Sequence, residues 1–174
     1  MIEEYFQSIQ TLLQNLSLAQ PPDVAYDRRS GKIGFVRGNL VFKDGSRLHF
    51  REFARAKRGQ PVHRYMYAFQ YMQADGSTIF RYDDADHYPH LPTAPHHKHL
   101  GEKDVIAAQA PDLAGVLKEI EAMIEFLQFR GQALQPSTLG EHTAFGIWAN
   151  RPEANDPAAF SLKLRQDVEK RHRD

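Results

Sequence analysis

The sequence predicts an α+β protein in which two helices cover an antiparallel sheet. Apolar residues recur at helical spacing near the N-terminus and again after residue 110. Between residues 32 and 83 the period changes to two, and two hairpin turns join neighbouring strands. We therefore expect a four- or five-stranded antiparallel sheet, an N-terminal helix, a long helix over residues 111–130, and an extended C-terminal tail with a short helix.

The composition is that of a folded globular protein. The 174 residues, 41% hydrophobic and 25% charged, suffice for one domain with a core of its own, plus a tail. No apolar run is long enough to span a bilayer. The absence of cysteine excludes disulfides and thiolate metal sites and fits a reducing compartment. We expect a cytoplasmic protein with no membrane partner.

The first predicted element is an amphipathic helix from Ile2 to Leu16. Its apolar residues are spaced three or four apart, and Glu3 and Glu4 in the first turn suit the helix dipole. Pro21 and Pro22 end the element, because proline cannot continue a helix. Nothing in this segment suggests chemistry.

The first strands follow Lys32. A short strand, I-G-F-V-R, lies between Gly31 and Gly38, and Asp44-Gly45 predicts a hairpin turn within L-V-F-K-D-G-S-R-L-H-F-R. In the second arm Leu48 and Phe50 share one face, and Glu52 falls on this apolar side. The opposite face carries basic residues: Arg47, His49, Arg51 and Arg55.

The net charge of zero hides a basic stretch. From Arg28 to Arg64 there are eleven arginines and lysines but only two acids, Asp44 and Glu52, a local charge of +9. Such an excess attracts polyanions, above all nucleic acid. The alternative is a pair of strands with solvated charges, balanced by an acidic helix further on. The predicted nucleic-acid-binding residues are Arg47, Arg51, Arg55, Lys57, Arg58 and Arg64.

The clearest hairpin turns at Asp75-Gly76. A two-residue turn there pairs Tyr71 with Phe80, Phe69 with Tyr82, and Gln70 with Arg81. One face then carries an aromatic stripe, which we interpret as core: Tyr65, Tyr67, Phe69, Tyr71, Phe80 and Tyr82. Arg81 and Asp83 point to the opposite face, beside the stretch that follows.

The stretch Ile79–Gly101 begins as a strand and is expected to end as a proline-rich loop. Three prolines restrict its backbone: Pro89, Pro92 and Pro95. It holds five of the nine histidines: His87, His90, His96, His97 and His99. Loops with this much titratable chemistry often bind or catalyse, although a surface loop without a function is the alternative.

These residue types suit cleavage of RNA. Paired imidazoles serve as general acid and base, with the RNA 2′-hydroxyl as nucleophile. Arg81 and Lys98 would stabilise the anionic phosphate, and Asp83 would orient a histidine. The same side chains also suit a metal centre, but H-H-x-H is not a diagnostic spacing. We favour the metal-free reaction, without a cofactor, with these catalytic residues: Arg81, Asp83, His87, His96, His97, Lys98 and His99.

A long amphipathic helix follows Pro111, which suits its first turn. Its apolar stripe runs from Leu113 to Leu127, and Gly131 ends it. From Gln132 the character changes to loop-like and polar. So few apolar residues cannot form a core, so this tail is expected to dock on the same chain or on a partner.

The run from Tyr65 to His99 resembles the TumE family, the toxin components of bacterial toxin–antitoxin systems. The resemblance extends over about Ile2–Arg130, and its most specific parts are R-Y-D-D and P-H-H-K-H, with His87 between them. Ala85-Asp86 departs from the small residue and proline usual in the family. The resemblance implies a toxin with a cognate antitoxin partner; cleavage of RNA is inferred from the residues, not from the family.

The tail is similar to the toxin-binding ends of VapB or Phd antitoxins, which implies partner-binding anchors at Phe145, Trp148, Arg151 and Phe160. We therefore divide the chain into a TumE-like toxin domain, 1–132, and an antitoxin-like tail, 133–174. Three alternatives stay open: a non-catalytic module that binds RNA or protein, a toxin restrained by its own tail, and a chain that acts mainly as an antitoxin. Formation of a homodimer also stays open.

Overall fold

The structure, a computed structural model, describes residues 1–133. The predicted tail, with its anchors Phe145, Trp148, Arg151 and Phe160, lies outside the described residues. Residues Met1–Ile124 form one compact unit, and the account of packing below concerns this unit. Neither helix within residues 1–133 is long and apolar enough to cross a bilayer.

The described residues form an α+β fold. Along the chain, a first helix is followed by the seven strands of one sheet and then by a second helix. Its elements are α1 (Ile2–Gln14), β1 (Asp23–Arg28), β2 (Ile33–Val41), β3 (Arg47–Arg55), β4 (His63–Met72), β5 (Thr78–Asp83), β6 (His97–Leu100), β7 (Asp104–Ala107) and α2 (Leu113–Ala133). Each strand pairs antiparallel with the next, so the spatial order is β1-β2-β3-β4-β5-β6-β7.

Both helices pack on the same face of the sheet. The apolar side of α1 is buried through Ile2, Phe6, Ile9 and Leu13. The buried residues of α2 are Leu113, Val116, Leu117 and Ile120, whereas Leu127, at the end of the predicted stripe, is 60% exposed. Aromatic residues of the central strands complete the core: Phe50, Tyr67, Phe69, Tyr71 and Phe80. The opposite face carries neither α1 nor α2.

The sheet has seven strands rather than the four or five expected. The count is higher even though β2 runs unbroken through Gly38, where we expected one strand to end and another to follow. A Cβ at Gly38 would lie 2.4 Å from the Phe50 ring, and one at Gly34 would lie 2.4 Å from the Phe6 ring. Both glycines are therefore close-packing positions within a strand rather than breaks.

The added strands are β1, β6 and β7. Strand β6 lies within the stretch expected to be a proline-rich loop, and it pairs with β5 on one side and β7 on the other. The last proline of the stretch, Pro95, precedes β6, so every residue of the strand has an N–H for the ladder. The loop proper is therefore confined to residues 84–96.

The predicted register of the second hairpin is confirmed: Tyr71 pairs with Phe80, Phe69 with Tyr82, and Gln70 with Arg81. Tyr65 is the exception in the aromatic stripe, since it is 46% exposed and contacts Phe53. A bulge opposite Phe53/Ala54 shifts the register of β4 there. Because one residue of slip reverses side-chain direction, Tyr65 leaves the core face.

Candidate functional site

The face of the sheet opposite the helices is polar and basic. Two adjacent rows of paired residues cross it. The first is Asn39, His49, Gln70, Arg81, His99 and Val105. The second is Arg37, Arg51, Ala68, Asp83, His97 and Ala107. We call this surface the open face. Since adjacent strands lie about 4.8 Å apart, the backbone of Arg51 is about 10 Å from that of Asp83.

Four side chains converge where β5 and β6 meet the loop: Asp83, His87, His97 and His99. We call them the His–Asp cluster. His97 Nε2 lies 3.1 Å from His87 Nε2 and 3.1 Å from His99 Nε2. Asp83 contributes Oδ1 at 3.3 Å from His97 Nε2 and Oδ2 at 3.6 Å from His99 Nε2. Strand pairing places Asp83 opposite His97, and the loop brings His87 back to them.

The cluster has a buried interior and an accessible rim. Asp83 and His97 are 2% and 1% exposed, whereas His87 is exposed and His99 is half-buried. The ring of Tyr88 packs edge-on against His87, His97 and His99, with centroid distances of 4.6, 5.0 and 5.7 Å. A bound group would therefore reach the cluster from the side of His87 and His99.

The loop of residues 84–96 is tied to the sheet at both ends. At its start, Asp84 accepts a hydrogen bond from the Tyr67 backbone N–H, and Asp83 accepts one from Ala85. Near its end, Thr93 donates to the His96 carbonyl and accepts from the Ala108 N–H. The Ala94–Pro95 peptide is cis. These bonds hold His87 over the end of β5.

Arg81 is the cation nearest the cluster. Its Nε lies 2.8 Å from Asp83 Oδ2, and its side chain is 35% exposed. Burial lowers the pKa of His99; the Asp83 carboxylate opposes this, while positive charge at His97, Arg81 and His87 adds to it. The net shift is downward, so this environment favours the neutral form of the His99 ring.

Two of the predicted catalytic residues lie elsewhere. His96 stacks on Tyr67, on the helix-covered side, and its Nδ1 is 3.2 Å from the Tyr67 hydroxyl. Lys98 points away from its neighbours His97 and His99, pairs with Glu119 of α2, and lies over the ring of Phe80. The strand period of two separates these residues, so adjacency in P-H-H-K-H does not bring all four side chains together.

The predicted nucleic-acid-binding residues are also divided between surfaces. Arg47, Arg51 and Arg55 lie on the open face. Lys57 lines a cleft with Arg55, His63 and Tyr65, and Arg58 is exposed in the connection between β3 and β4. Arg64 lies on the helix-covered side instead, where it pairs with Glu52 at 3.2 Å and donates to the Pro111 carbonyl.

The open face includes residues that were not singled out from the sequence. Arg37 is the direct cross-strand neighbour of Arg51. Burial lowers the pKa of His49, and positive charge on Arg51, Arg37 and Arg81 lowers it further, which places these guanidinium groups around one imidazole. Aligning the predicted strands β2 and β3 in register would have placed Arg37 beside Arg51 on the same face. Tyr88 could have been noted as the neighbour of His87.

Comparison with known proteins identifies the family. The family model described as Toxin TumE matches residues 9–127, which include the last part of α1, all seven strands, most of α2 and all four residues of the His–Asp cluster. No curated protein and no solved structure was found to match the chain. Membership implies a toxin component of a toxin–antitoxin system, with a cognate antitoxin as its partner. The chain belongs to the TumE family of toxins.

Proposed function

We propose that this toxin arrests growth by cleaving RNA, with the open face as the binding surface and the His–Asp cluster as the reactive centre. The observation that supports the proposal is that the open face and the His–Asp cluster are parts of one continuous surface. Arg37 of β2 and Arg51 of β3 lie in the same cross-strand row as Asp83 and His97, and the adjacent row holds Arg81 and His99. An RNA strand along these rows would bring a phosphate to the cluster, in the cytoplasm where RNA is accessible.

Charge supports binding on the open face. Arg37, Arg47 and Arg51 are exposed there, and neither of the two described helices covers this face of β3. Each phosphate contact releases a counterion, so binding by these arginines is strongly salt-dependent and largely independent of sequence. Tyr65, exposed beside Phe53 and His63, offers a ring on which a base could stack.

The reaction that fits is transfer of the phosphodiester to the RNA's own 2′-hydroxyl. The 2′-oxygen bonds to phosphorus, the bond to the 5′-oxygen breaks, one proton leaves the 2′-hydroxyl, and one reaches the leaving oxygen. Arg81 is placed to stabilise the negative charge that accumulates on the phosphate oxygens. His87 and His99, on the accessible rim, are the imidazoles that a phosphate can reach. His97 and Asp83 are too buried to touch RNA and support the rim residues.

Purified full-length protein incubated with RNA tests this function. We expect cleavage that Arg81→Ala and His99→Ala reduce by at least about 100-fold, as for loss of a charge-stabilising or proton-transfer group. Lys118→Ala is the matched control, because it removes an exposed positive charge from α2, on the other side of the sheet. Cleavage that survives both site substitutions would overturn the proposal.

RNA binding without cleavage would favour the alternative of a module that sequesters RNA. In either case, Arg37→Ala and Arg51→Ala are each expected to reduce the slope of log K against log salt by about 0.7 for single-stranded RNA. Filter-binding measurements at several salt concentrations give the slope. An unchanged slope in both variants would remove the open face as the RNA-binding surface.

A further inference from the structure

The four side chains of the His–Asp cluster aim their ligand-type atoms at one point. One ligand-type atom from each of Asp83, His87, His97 and His99 lies within 4.8 Å of the other three. A general acid and base for phosphodiester cleavage must face outward, on two sides of the phosphorus. Here the Nε2 atoms of both rim histidines face His97 Nε2 instead, at 3.1 Å each. In this arrangement the Nε2 atoms point into the cluster, so a substrate would meet the other ring nitrogen, Nδ1, of each rim histidine.

Hydrogen bonding alone does not account for the contacts. His97 Nδ1 lies 2.8 Å from the Pro95 carbonyl oxygen, which only accepts, so Nδ1 carries the proton. In the neutral ring Nε2 then has a single in-plane lone pair and no proton to donate. The rings of His87 and His99 approach it at interplanar angles of 71° and 68°. The single lone pair on His97 Nε2 cannot accept hydrogen bonds from two donors with good geometry. A cation at the centre, in contrast, would bind the Nε2 lone pairs of all three histidines.

The contact of His97 Nδ1 with a backbone carbonyl is also typical of a histidine that binds a metal through Nε2. A metal-bound histidine commonly donates its other N–H to a backbone carbonyl or carboxylate, which fixes the tautomer and aims the ring. Pro95 supplies that carbonyl for His97. His97 is 1% exposed, so its ring is also held by packing.

Asp83 adds a buried oxygen whose hydrogen-bonding capacity is not filled. Its Oδ2 is ion-paired with Arg81 Nε at 2.8 Å but accepts no hydrogen bond from any described residue. The ion pair offsets part of the cost of burying this carboxylate, and a coordinated cation would offset more. Oδ1 lies 3.3 Å from His97 Nε2 and Oδ2 lies 3.6 Å from His99 Nε2, so the carboxylate is placed as a fourth ligand.

The spacing fits a small tetrahedral ion. With zinc–ligand bonds of about 2.0–2.1 Å, the ligand atoms of a tetrahedron are about 3.3 Å apart. His97 Nε2 lies 3.1 Å from His87 Nε2, 3.1 Å from His99 Nε2 and 3.3 Å from Asp83 Oδ1. The other carboxylate oxygen, Oδ2, lies 3.6 Å from His99 Nε2. Three imidazoles and one carboxylate select zinc and its transition-metal neighbours over magnesium or calcium, which prefer oxygen ligands.

We propose that Asp83, His87, His97 and His99 bind one divalent transition-metal ion, of which Zn²⁺ fits best. The site stands on geometry alone and does not depend on cleavage of RNA. It departs from the metal-free mechanism favoured by the sequence. If the proposed function also holds, the ion would have to accept a phosphate oxygen as a fifth ligand to act as a Lewis acid beside Arg81, on the rim where His87 is exposed.

Metal binding by the full chain, purified without a polyhistidine tag, tests the site. We expect one zinc per chain after dialysis by elemental analysis, and a visible spectrum of tetrahedral cobalt after exchange with Co²⁺. His87→Ala and His99→Ala should each weaken Zn²⁺ by more than about 100-fold in competition with an indicator, because second-shell partners alone contribute 10- to 100-fold. His90→Ala is the matched control, since His90 is exposed in the same loop but outside the cluster.

Thermal unfolding separates loss of the ion from loss of the fold. At Zn²⁺ about 100-fold above its dissociation constant, the melting temperature of the wild type and His90→Ala should rise by about 5–10 °C. His87→Ala should melt like the metal-free wild type, with or without Zn²⁺. Equal zinc binding by His87→Ala, His99→Ala and the wild type, or no stoichiometric zinc in the wild type, would overturn the proposal. Zinc binding without RNA cleavage would support the metal site and contradict only the proposed function.

Discussion

At the scale of single residues, the carboxylate of Glu52 is unusual because it lies inside the core. It is 1% exposed and accepts hydrogen bonds from the Tyr5 hydroxyl and from Arg64 Nη1. Arg64 also lies 4.8 Å from the centroid of the Tyr67 ring. The group links α1, β3 and β4 beneath the sheet, far from the open face. Its position on the apolar side was expected from the alternation, but its partners were not.

Glu52→Gln should change how stability depends on pH. Burial raises the pKa of Glu52 above 4.5, although the hydrogen bond from Tyr5 and the charge of Arg64 oppose this. A raised folded-state pKa stabilises the fold below the unfolded pKa, and this contribution is lost as pH rises. The free energy of unfolding of the variant minus that of the wild type should therefore increase above about pH 4.5. Urea unfolding across pH 4.5–7.5 measures it, and a difference that falls with pH would show that Arg64 dominates.

Substitutions of Lys98 and Arg81 compare a residue that stabilises the fold with a residue that is proposed to act in the reaction. Although burial lowers the pKa of Lys98, its contacts with Glu119 and Tyr82 raise it more, so Lys98 is charged. Lys98→Met should cost about 1–3 kcal/mol by loss of the charged hydrogen bond to Glu119, yet leave growth arrest intact. Arg81→Met should abolish growth arrest, and its loss of stability should be at least as large, because it removes the cation paired with the buried Asp83 carboxylate. Expression in cells, with unfolding curves of both proteins, provides the measurement; loss of toxicity in folded Lys98→Met would return Lys98 to the site.

At the scale of elements, strand β2 is determined by what packs over its glycines. Gly38 sits under the fully buried ring of Phe50, and a Cβ there would also approach Val24 Cγ2 to 2.9 Å. The strand can cross this position only because no side chain is present. Its continuity places Arg37 and Asn39 on the open face, beside β3.

Gly38→Ala should destabilise the protein by about 1–3 kcal/mol through overpacking against Phe50. Gly31→Ala is the control, because a Cβ there meets only Met1 Cε at an ordinary 3.4 Å. Combining Gly38→Ala with Phe50→Leu should give a smaller loss than the sum of the single variants, since the smaller side chain makes room. Denaturant unfolding of the four proteins measures the coupling, and additive losses would contradict the steric explanation.

At the scale of the whole molecule, the two described helices leave one face of the sheet for function. Both cover the apolar side, and the meander order keeps β5 and β6 adjacent, so charge and imidazole collect at one end of the other side. The predicted boundary between a toxin domain, 1–132, and an antitoxin-like tail, 133–174, remains a prediction. The compact unit that ends at Ile124 contains every residue of the cluster.

Expression of residues 1–132 alone tests the predicted role of the tail. If the tail restrains the toxin on its own chain, the shortened protein should arrest growth at lower induction than the full chain. His87→Ala in the shortened protein is the control, because it should remove the arrest without restoring the tail. Equal growth arrest by the full chain and by residues 1–132 would show that the tail does not restrain the toxin. Loss of growth arrest when the tail is removed would favour a different domain boundary.

Sequence alone determined the features that depend on neighbouring residues. The α1 helix, the Asp75-Gly76 hairpin with its register, and the basic alternation of β3 follow from local periodicity and turn chemistry. The short pattern from Tyr65 to His99 also sufficed to indicate the family. Composition around the loop correctly identified where titratable side chains are concentrated.

Only the tertiary structure decided which of those side chains meet. His87 is ten residues from His97, and its ring arrives through a loop whose path no local pattern specifies. Within P-H-H-K-H, the pairing of β6 with β5 turns His97 and His99 toward Asp83 and sends Lys98 to Glu119. Side-chain direction in a strand depends on register, and register is set by partners distant in the sequence. The contact of three imidazoles with one carboxylate is therefore a property of the folded sheet.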